Sequence, residues 1–299
     1  MARQLGGMYA ALMSAMDDAG GFDPKRQQAL TRYVLQQGLR GLYVGGSSGE
    51  SGMLETAALL EQQQVVADVA QGVEAVLIAH VGMPALADSI RLAHNARKLG
   101  YRALSALPPH SYPFSDEEIL GYYRALAAAT DLPLIVYEIP LRTGRPLPLD
   151  LLLQILDLPN VAGIKFTSND LFKLSMLRRR RPEKVYYFGF DEIFLSAAVL
   201  GADGGIGTTY NLFGKLYAAL HEAVRANDLA RARELQAISQ EFVELLFVTG
   251  VLPGMKAAFR TIGIECGPTR SPMAARVGDA EARLKPFLER ADVRPWLAL

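Results

Sequence analysis

Lys165 lies in the stretch Val161-Ala162-Gly163-Ile164-Lys165-Phe166-Thr167-Ser168, which is apolar and partly β-branched and reads as a short strand ending in hydroxyls. Lysine is depleted from strands and is rarely buried without a partner. The other lysines (Lys25, Lys98, Lys173, Lys184, Lys215, Lys256 and Lys285) occupy helix ends, turns or polar surroundings, so Lys165 alone sits inside an apolar strand. An ammonium placed there loses hydration, which favours the neutral, nucleophilic amine and suits imine formation with a carbonyl substrate. The competing reading is a lysine at a strand end whose amine snorkels to water.

Other residues with chemistry follow strands in the same way. Gly46-Ser47-Ser48-Gly49-Glu50 is either a plain turn or a loop whose backbone N–H groups and hydroxyls converge on a carboxylate. Tyr137 is either a core aromatic or, at hydrogen-bonding distance from Lys165, a proton shuttle. Gly189, Asp191 and Glu192 could place acceptors around a polyol, or the two acids could only cap and charge the next helix. Thr167, Gly207 and Thr208 end two further strands. His80, His94, His110 and His221 are scattered without ligand spacing, and Cys266 is the single cysteine, so no metal site or internal disulfide is expected; an imine that serves as its own electron sink requires no organic cofactor.

What positions these residues is an alternation of strand and helix. Strands are expected within 8–16, at 39–44, 75–81, 103–107, 134–137 and 161–168, at 185–188 and at 203–207. Asp23-Pro24 and Ser115-Asp116-Glu117-Glu118 read as helix starts, Thr56 as the cap of the helix that follows the loop at 45–50, and Gly38 as a stop. Strands separated by helical patterns indicate parallel βαβ units, and eight of them close naturally into a (β/α)₈ barrel with its chemistry at the strand C-terminal ends. Beyond about residue 212 only helical patterns remain, at 212–225, 228–246, 253–262 and 280–290. The expected architecture is therefore α/β: a barrel over 1–225 and a C-terminal helical extension over 226–299.

Composition sets the outer bounds. The 299 residues carry 31 basic and 31 acidic side chains, which argues against a nucleic-acid or membrane-surface partner. Arg178-Arg179-Arg180-Arg181 reads as the solvated end of a helix. No apolar run approaches a membrane span or a signal-peptide core, and a soluble, cytoplasmic protein is expected.

Gly46-x-x-Gly49-Glu50, Tyr137-Glu138-Ile139-Pro140 and Gly163-Ile164-Lys165 together resemble the pyruvate-dependent Schiff-base aldolases, the superfamily of N-acetylneuraminate lyase and dihydrodipicolinate synthase. The resemblance covers essentially the whole chain. It implies that Lys165 forms an imine with the C2 carbonyl of pyruvate, that Ser47 and Ser48 hold its carboxylate, and that Tyr137 relays protons. It further implies that Asp191, Glu192 and Thr208 receive a sugar's polyol tail with Thr167 nearby, and that the protein is a homotetramer. The run from Gly189 to Phe194 and that from Gly201 to Asn211 follow the lyase branch.

Four features depart from that branch. Glu138 replaces an amide, Phe190 stands where a tyrosine is often found, and Arg142 is similar to the synthase arginine that grips a second carboxylate. Pro109-His110-Ser111-Tyr112 lacks the aromatic pair of the family, so either Tyr112 reaches into the neighbouring subunit's site or that relay is missing. The reading favoured is cleavage of a 2-keto-3-deoxy sugar acid, with Asp191 and Glu192 neutralising Arg142; the alternative is a synthase condensing pyruvate with aspartate semialdehyde. A sensor that only binds a keto acid would need neither Lys165 nor Tyr137. A phosphate site on Gly204-Gly205-Ile206-Gly207 would be opposed by Asp191 and Glu192.

Overall fold

The computed structural model describes residues 2–299. Strand and helix alternate as β1 (Gly7–Ala11), α1 (Pro24–Leu35), β2 (Gly41–Val44), α2 (Thr56–Val69), β3 (Val76–His80), α3 (Leu86–Lys98), β4 (Ala103–Ala106) and α4 (Asp116–Ala128). The second half continues with β5 (Leu134–Glu138), α5 (Pro140–Thr143), α6 (Leu149–Leu156), β6 (Val161–Phe166), α7 (Leu171–Arg180), β7 (Val185–Phe188), α8 (Phe194–Val199), β8 (Gly204–Gly207) and α9 (Tyr210–Arg225). Every neighbouring pair of strands is parallel, and β1 pairs with β8, so the sheet closes into an eight-stranded barrel. Three helices follow: α10 (Leu229–Thr249), α11 (Val251–Thr261) and α12 (Ala280–Leu288).

Local chemistry accounts for the boundaries. Asp23 accepts the N–H groups of Lys25 and Arg26 ahead of Pro24, and Ser115 and Glu118 form a reciprocal capping box. Thr56 is the first helical residue of α2 and not its cap; Glu55 takes the cap position without a side-chain bond.

The period-two alternation of a strand decides which residues face the lumen. Tyr9, Tyr43, Ile135, Tyr187 and Ile206 fill the barrel interior, while Ile164, Phe166 and Phe188 pack outward with the helices. The lower end of the lumen is sealed by the hydroxyls of Tyr9 and Tyr187, which donate to the Leu5 carbonyl at 2.6 Å and 2.5 Å. Polar groups can therefore gather only at the upper, C-terminal end.

The tail helices lock onto that end. Glu50 closes the β2 loop in the left-handed region, at φ 57°, with its carboxylate buried. One oxygen accepts the Arg270 N–H at 2.6 Å; the other lies 2.7 Å from Lys256 Nζ on α11, off the axis of a directed hydrogen bond. Lys256 is 1% exposed, so Lys165 is not the only lysine in the interior. A buried ion pair contributes little net stability, but stranding one partner is costly.

Lys256→Met should lower unfolding free energy by about 3–5 kcal/mol in urea titrations, and adding Glu50→Gln should recover part of the loss. A cost below about 1 kcal/mol would show that the pair does not anchor the loop. Glu138, one residue beyond Tyr137 and facing outward, supplies a second test. Its Oε1 accepts the Leu147 N–H at 2.9 Å, and its Oε2 is buried without a partner. Burial pushes this carboxyl up to about 7, against the opposing pull of the Leu147 N–H and the more distant Lys173 and Arg145. The unfolded chain releases its proton at lower pH than the folded chain, so stability falls as pH rises toward 7. Between about pH 5 and pH 8 the unfolding free energy from urea titrations should drop further in the wild type than in Glu138→Gln, by a difference on the order of 2 kcal/mol. Parallel drops would mean an ordinary carboxyl.

Candidate active site

Lys165 sits near the top of the lumen at 4% exposure. Register places it beside Tyr137 on β5 and Tyr187 on β7. Its ammonium lies over two tyrosine faces, 4.0 Å from the Tyr137 ring centroid and 4.5 Å from that of Tyr43. The contact with Tyr137 is thus ring face to ammonium, and not the hydroxyl hydrogen bond expected of a proton shuttle. Tyr43 donates to Ser105 Oγ at 3.0 Å, which fixes its ring. His80 packs against both tyrosines. Its Nδ1 is 3.0 Å from the Gly45 carbonyl and its Nε2 3.4 Å from the Leu107 nitrogen, an arrangement satisfied by the neutral Nδ1–H tautomer. Burial first, then the Lys165 and Arg142 cations, push this imidazole down to about 3.

Above the amine opens a cavity of about 400 Å³, lined among others by Ser47, Ser48, Tyr137, Lys165, Thr167, Gly189, Asp191, Glu192 and Thr208. Ser47 Oγ, Thr167 Oγ1 and Asp191 Oδ1 are buried on this cavity without a hydrogen-bond partner. Buried polar atoms are normally satisfied, so three orphans on one cavity mark a place where a polar ligand supplies the bonds. Ser48 Oγ and Thr208 Oγ1 are 2.7 Å apart and join the ends of β2 and β8. Two glycines act through the absence of a side chain: a Cβ on Gly189 would lie 2.0 Å from Thr167 Oγ1, and one on Gly207 would lie 2.1 Å from Asp191 Oδ1. Phe190 also lines the cavity, edge-on to Phe188, with no hydroxyl to offer.

Asp191 does not cap α8. Its Oδ2 accepts the Thr209 N–H at 2.8 Å and lies 2.7 Å from Thr209 Oγ1, at the start of α9. Burial raises the carboxyl to about 7 and outweighs both Thr209 bonds; neighbouring Glu192 adds to the rise and Lys165 opposes it. Glu192 is half-buried, and its carbonyl accepts from Gln240 on α10.

Two expected members stand apart. Arg142 is exposed and pairs with no acid among the described residues, so Asp191 and Glu192 do not neutralise it. The reason is placement: it lines a neighbouring pocket of about 510 Å³ that shares Ser47, Ser48, Leu141, Thr208 and Val251 with the main cavity. Tyr112, 75% exposed, packs edge-on to Phe114 at the outer rim and does not line the Lys165 cavity.

The structure also adds residues that the sequence reading passed over. Tyr43 is the last inward residue of β2, as Tyr137 is of β5, and that parity is its only signal in the sequence. Thr209 adjoins Thr208 and takes the bond to Asp191. Val243, Leu246 and Phe247 of α10, with Val251 of α11, form the cavity's apolar wall. Their spacing reads as an ordinary core stripe.

Comparison with known proteins agrees with this arrangement. Residues 4–291 match the model of the dihydrodipicolinate synthetase family. An N-acetylneuraminate lyase of Rhizobium meliloti is 42% identical over 272 residues, 90% of this chain and 89% of the relative. The Clostridium difficile protein CdNal, solved in complex with mannosamine, superposes with a TM-score of 0.92 at 32% identity, covering 98% of this chain and 99% of that one. A catalytic lysine mutant of the Ruminococcus gnavus sialic acid aldolase gives the same TM-score, 0.92, at 30% identity, with 98% of both chains covered. With a family match across nearly its whole length and a barrel that keeps its lysine at the head of an oxygen-lined cavity, the chain belongs to the dihydrodipicolinate synthetase family.

Proposed function

We propose that this protein is a pyruvate-releasing Schiff-base lyase, with N-acetylneuraminate as its sugar acid. The observation that carries the reading is a buried lysine amine facing a cavity on which three buried oxygens have no partner. The N-acetylneuraminate lyase at 42% identity and the sialic acid aldolase with its catalytic lysine support the same assignment.

In this reading the Lys165 amine adds to the C2 carbonyl of the open-chain keto acid, and loss of water leaves an iminium. The C3–C4 bond then breaks, its electron pair flowing to the iminium nitrogen to give an enamine. The C4 hydroxyl loses its proton and becomes the aldehyde of the released amino sugar. Protonation at C3 and addition of water free pyruvate and return the amine. Tyr137, whose ring already covers the nitrogen, carries the protons, and its hydroxyl must swing to the substrate once bound. The faces of Tyr43 and Tyr137 are suited to the iminium charge. Ser47 and Ser48 receive the carboxylate, with the Gly46–Glu50 backbone behind them, and Thr208, 2.7 Å from Ser48, leads on to the acceptors of the polyol tail. Thr167, Asp191 and Glu192 receive the hydroxyls further out, and Gly189 and Gly207 leave room for the Thr167 and Asp191 side chains to stand where they do.

The synthase alternative rests on Arg142, which stands over the adjacent pocket and not over the cavity of the acids. We further propose a homotetramer: the exposed Tyr112 on a proline-stiffened rim is an aromatic that a second copy would cover. Light scattering at micromolar concentration should give four chains per particle; a fully active monomer would refute it.

Incubation with pyruvate and borohydride should add one reduced pyruvyl group to the Lys165 peptide, and Lys165→Ala should abolish both labelling and sugar-acid cleavage. Arg142→Ala should cost less cleavage activity than Asp191→Ala. Condensation of pyruvate with aspartate semialdehyde, with every sugar acid inert, would overturn the lyase reading.

A further inference from the structure

Asp191 is held by a hydrogen-bond chain that the reaction above does not use. The chain begins at Gln236 on α10, whose Oε1 accepts the Leu195 N–H at 2.8 Å. That bond orients the amide, so its Nε2 donates to the Asp191 carbonyl at 3.0 Å and to Ser239 Oγ at 3.2 Å. Ser239 Oγ is 2.6 Å from the Tyr217 hydroxyl, which is 2.7 Å from Thr209 Oγ1, itself 2.7 Å from Asp191 Oδ2. All four supporting side chains are at most 5% exposed.

Donor counting gives the chain a direction. A hydroxyl has one proton to give. An ionised Asp191 takes the single Thr209 proton, so Tyr217 gives to Thr209, and Ser239 gives to Tyr217 at 2.6 Å in preference to the Asp191 carbonyl at 3.3 Å. Two donors from Thr209, one backbone and one side chain, then converge on Oδ2 and stop the carboxylate from pivoting. Oδ1 is left without a partner on a residue that lines the cavity, tucked against Gly207, whose missing Cβ makes room for it.

We propose that Thr209, with its proton directed by Tyr217, Ser239 and Gln236, is the positioning residue that fixes the Asp191 oxygen met by the hydroxylated part of the sugar acid. The inference rests on Asp191 being that acceptor. Tyr217, Ser239 and Gln236 do not line the cavity, so their effect on substrate passes through Thr209 and Asp191. The charged and titratable groups around the carboxyl are Glu192 beside it, Lys165 on β6, and Tyr210 and Tyr217 on α9; α10 presents only the neutral Gln236 and Ser239.

The test is sugar-acid cleavage across pH for Thr209→Val, Thr209→Ser, Tyr217→Phe and Asp191→Asn, with pyruvate–borohydride labelling of Lys165 alongside. Thr209→Val removes a bond to a charged acceptor and should raise KM roughly tenfold or more, with kcat within about threefold and labelling unchanged. With a donor to the carboxylate gone, the acid limb of kcat/KM should also move to higher pH. Thr209→Ser should restore both, and Tyr217→Phe should shift KM in the same direction by less. If Asp191→Asn raises KM while Thr209→Val leaves KM and the acid limb in place, the inference fails alone. Equal loss of kcat and labelling in Thr209→Val, unrestored by Thr209→Ser, would reduce Thr209 to a structural part and also overturn it. If Asp191→Asn leaves KM unmoved, or the wild type is not labelled, the reading beneath the inference fails with it.

Discussion

A lysine amine enclosed in a barrel lumen, with no carboxylate in ion-pair reach among the described residues, is the condition that the rest of the structure serves. Burying an ammonium unpaired is expensive, and most proteins avoid it by supplying an acid. Here the neighbours are the faces of Tyr43 and Tyr137, which favour a cation electrostatically without taking up the nitrogen's bonding capacity in a salt bridge. His80, pushed down to about 3, adds an aromatic wall without adding charge. A nucleophile needs this combination: enclosed, and not committed to a counter-ion.

The barrel makes such a place possible. Parallel strands closed on themselves alternate their side chains between lumen and helix layer, and the lower lumen is filled by Tyr9, Tyr187 and Ile206. Only the last inward position of a strand can carry a functional group and still reach solvent. Lys165 and Tyr137 hold those positions on adjacent strands, in direct register. The outward neighbour on β5 is Glu138, one residue along the chain yet on the other side of the sheet, where it braces Leu147 ahead of α6.

The loops above the strands are set from outside the barrel. Glu50 reaches Lys256 on α11 and the Arg270 backbone, so the β2 loop that carries Ser47 and Ser48 is anchored to the tail. Asp191 is anchored through Thr209 and Tyr217 of α9 to Ser239 and Gln236 of α10. The same α10 supplies the apolar wall of the cavity. Both halves of the site, carboxylate loop and polyol acids, therefore depend on helices that follow the last strand.

By itself the sequence determined the alternation of eight strands with helices, the barrel they close into, and the strand ends from which Lys165, Tyr137, Ser47, Thr167 and Asp191 project. These follow from local patterns: β-branched runs, caps, glycine stops and one lysine out of place in an apolar strand. Only the tertiary structure decided how side chains far apart in sequence meet. That Lys165 rests on ring faces and not on a phenol hydroxyl, and that Arg142 opens onto a different pocket from Asp191, depends on rotamers and loop paths that no spacing encodes. The same holds for Glu50 with Lys256, and for Thr209 with Tyr217 and Ser239. Each of these residues reads locally as surface, turn or core, and a burial partner 8 to 206 positions away along the chain gives it its role.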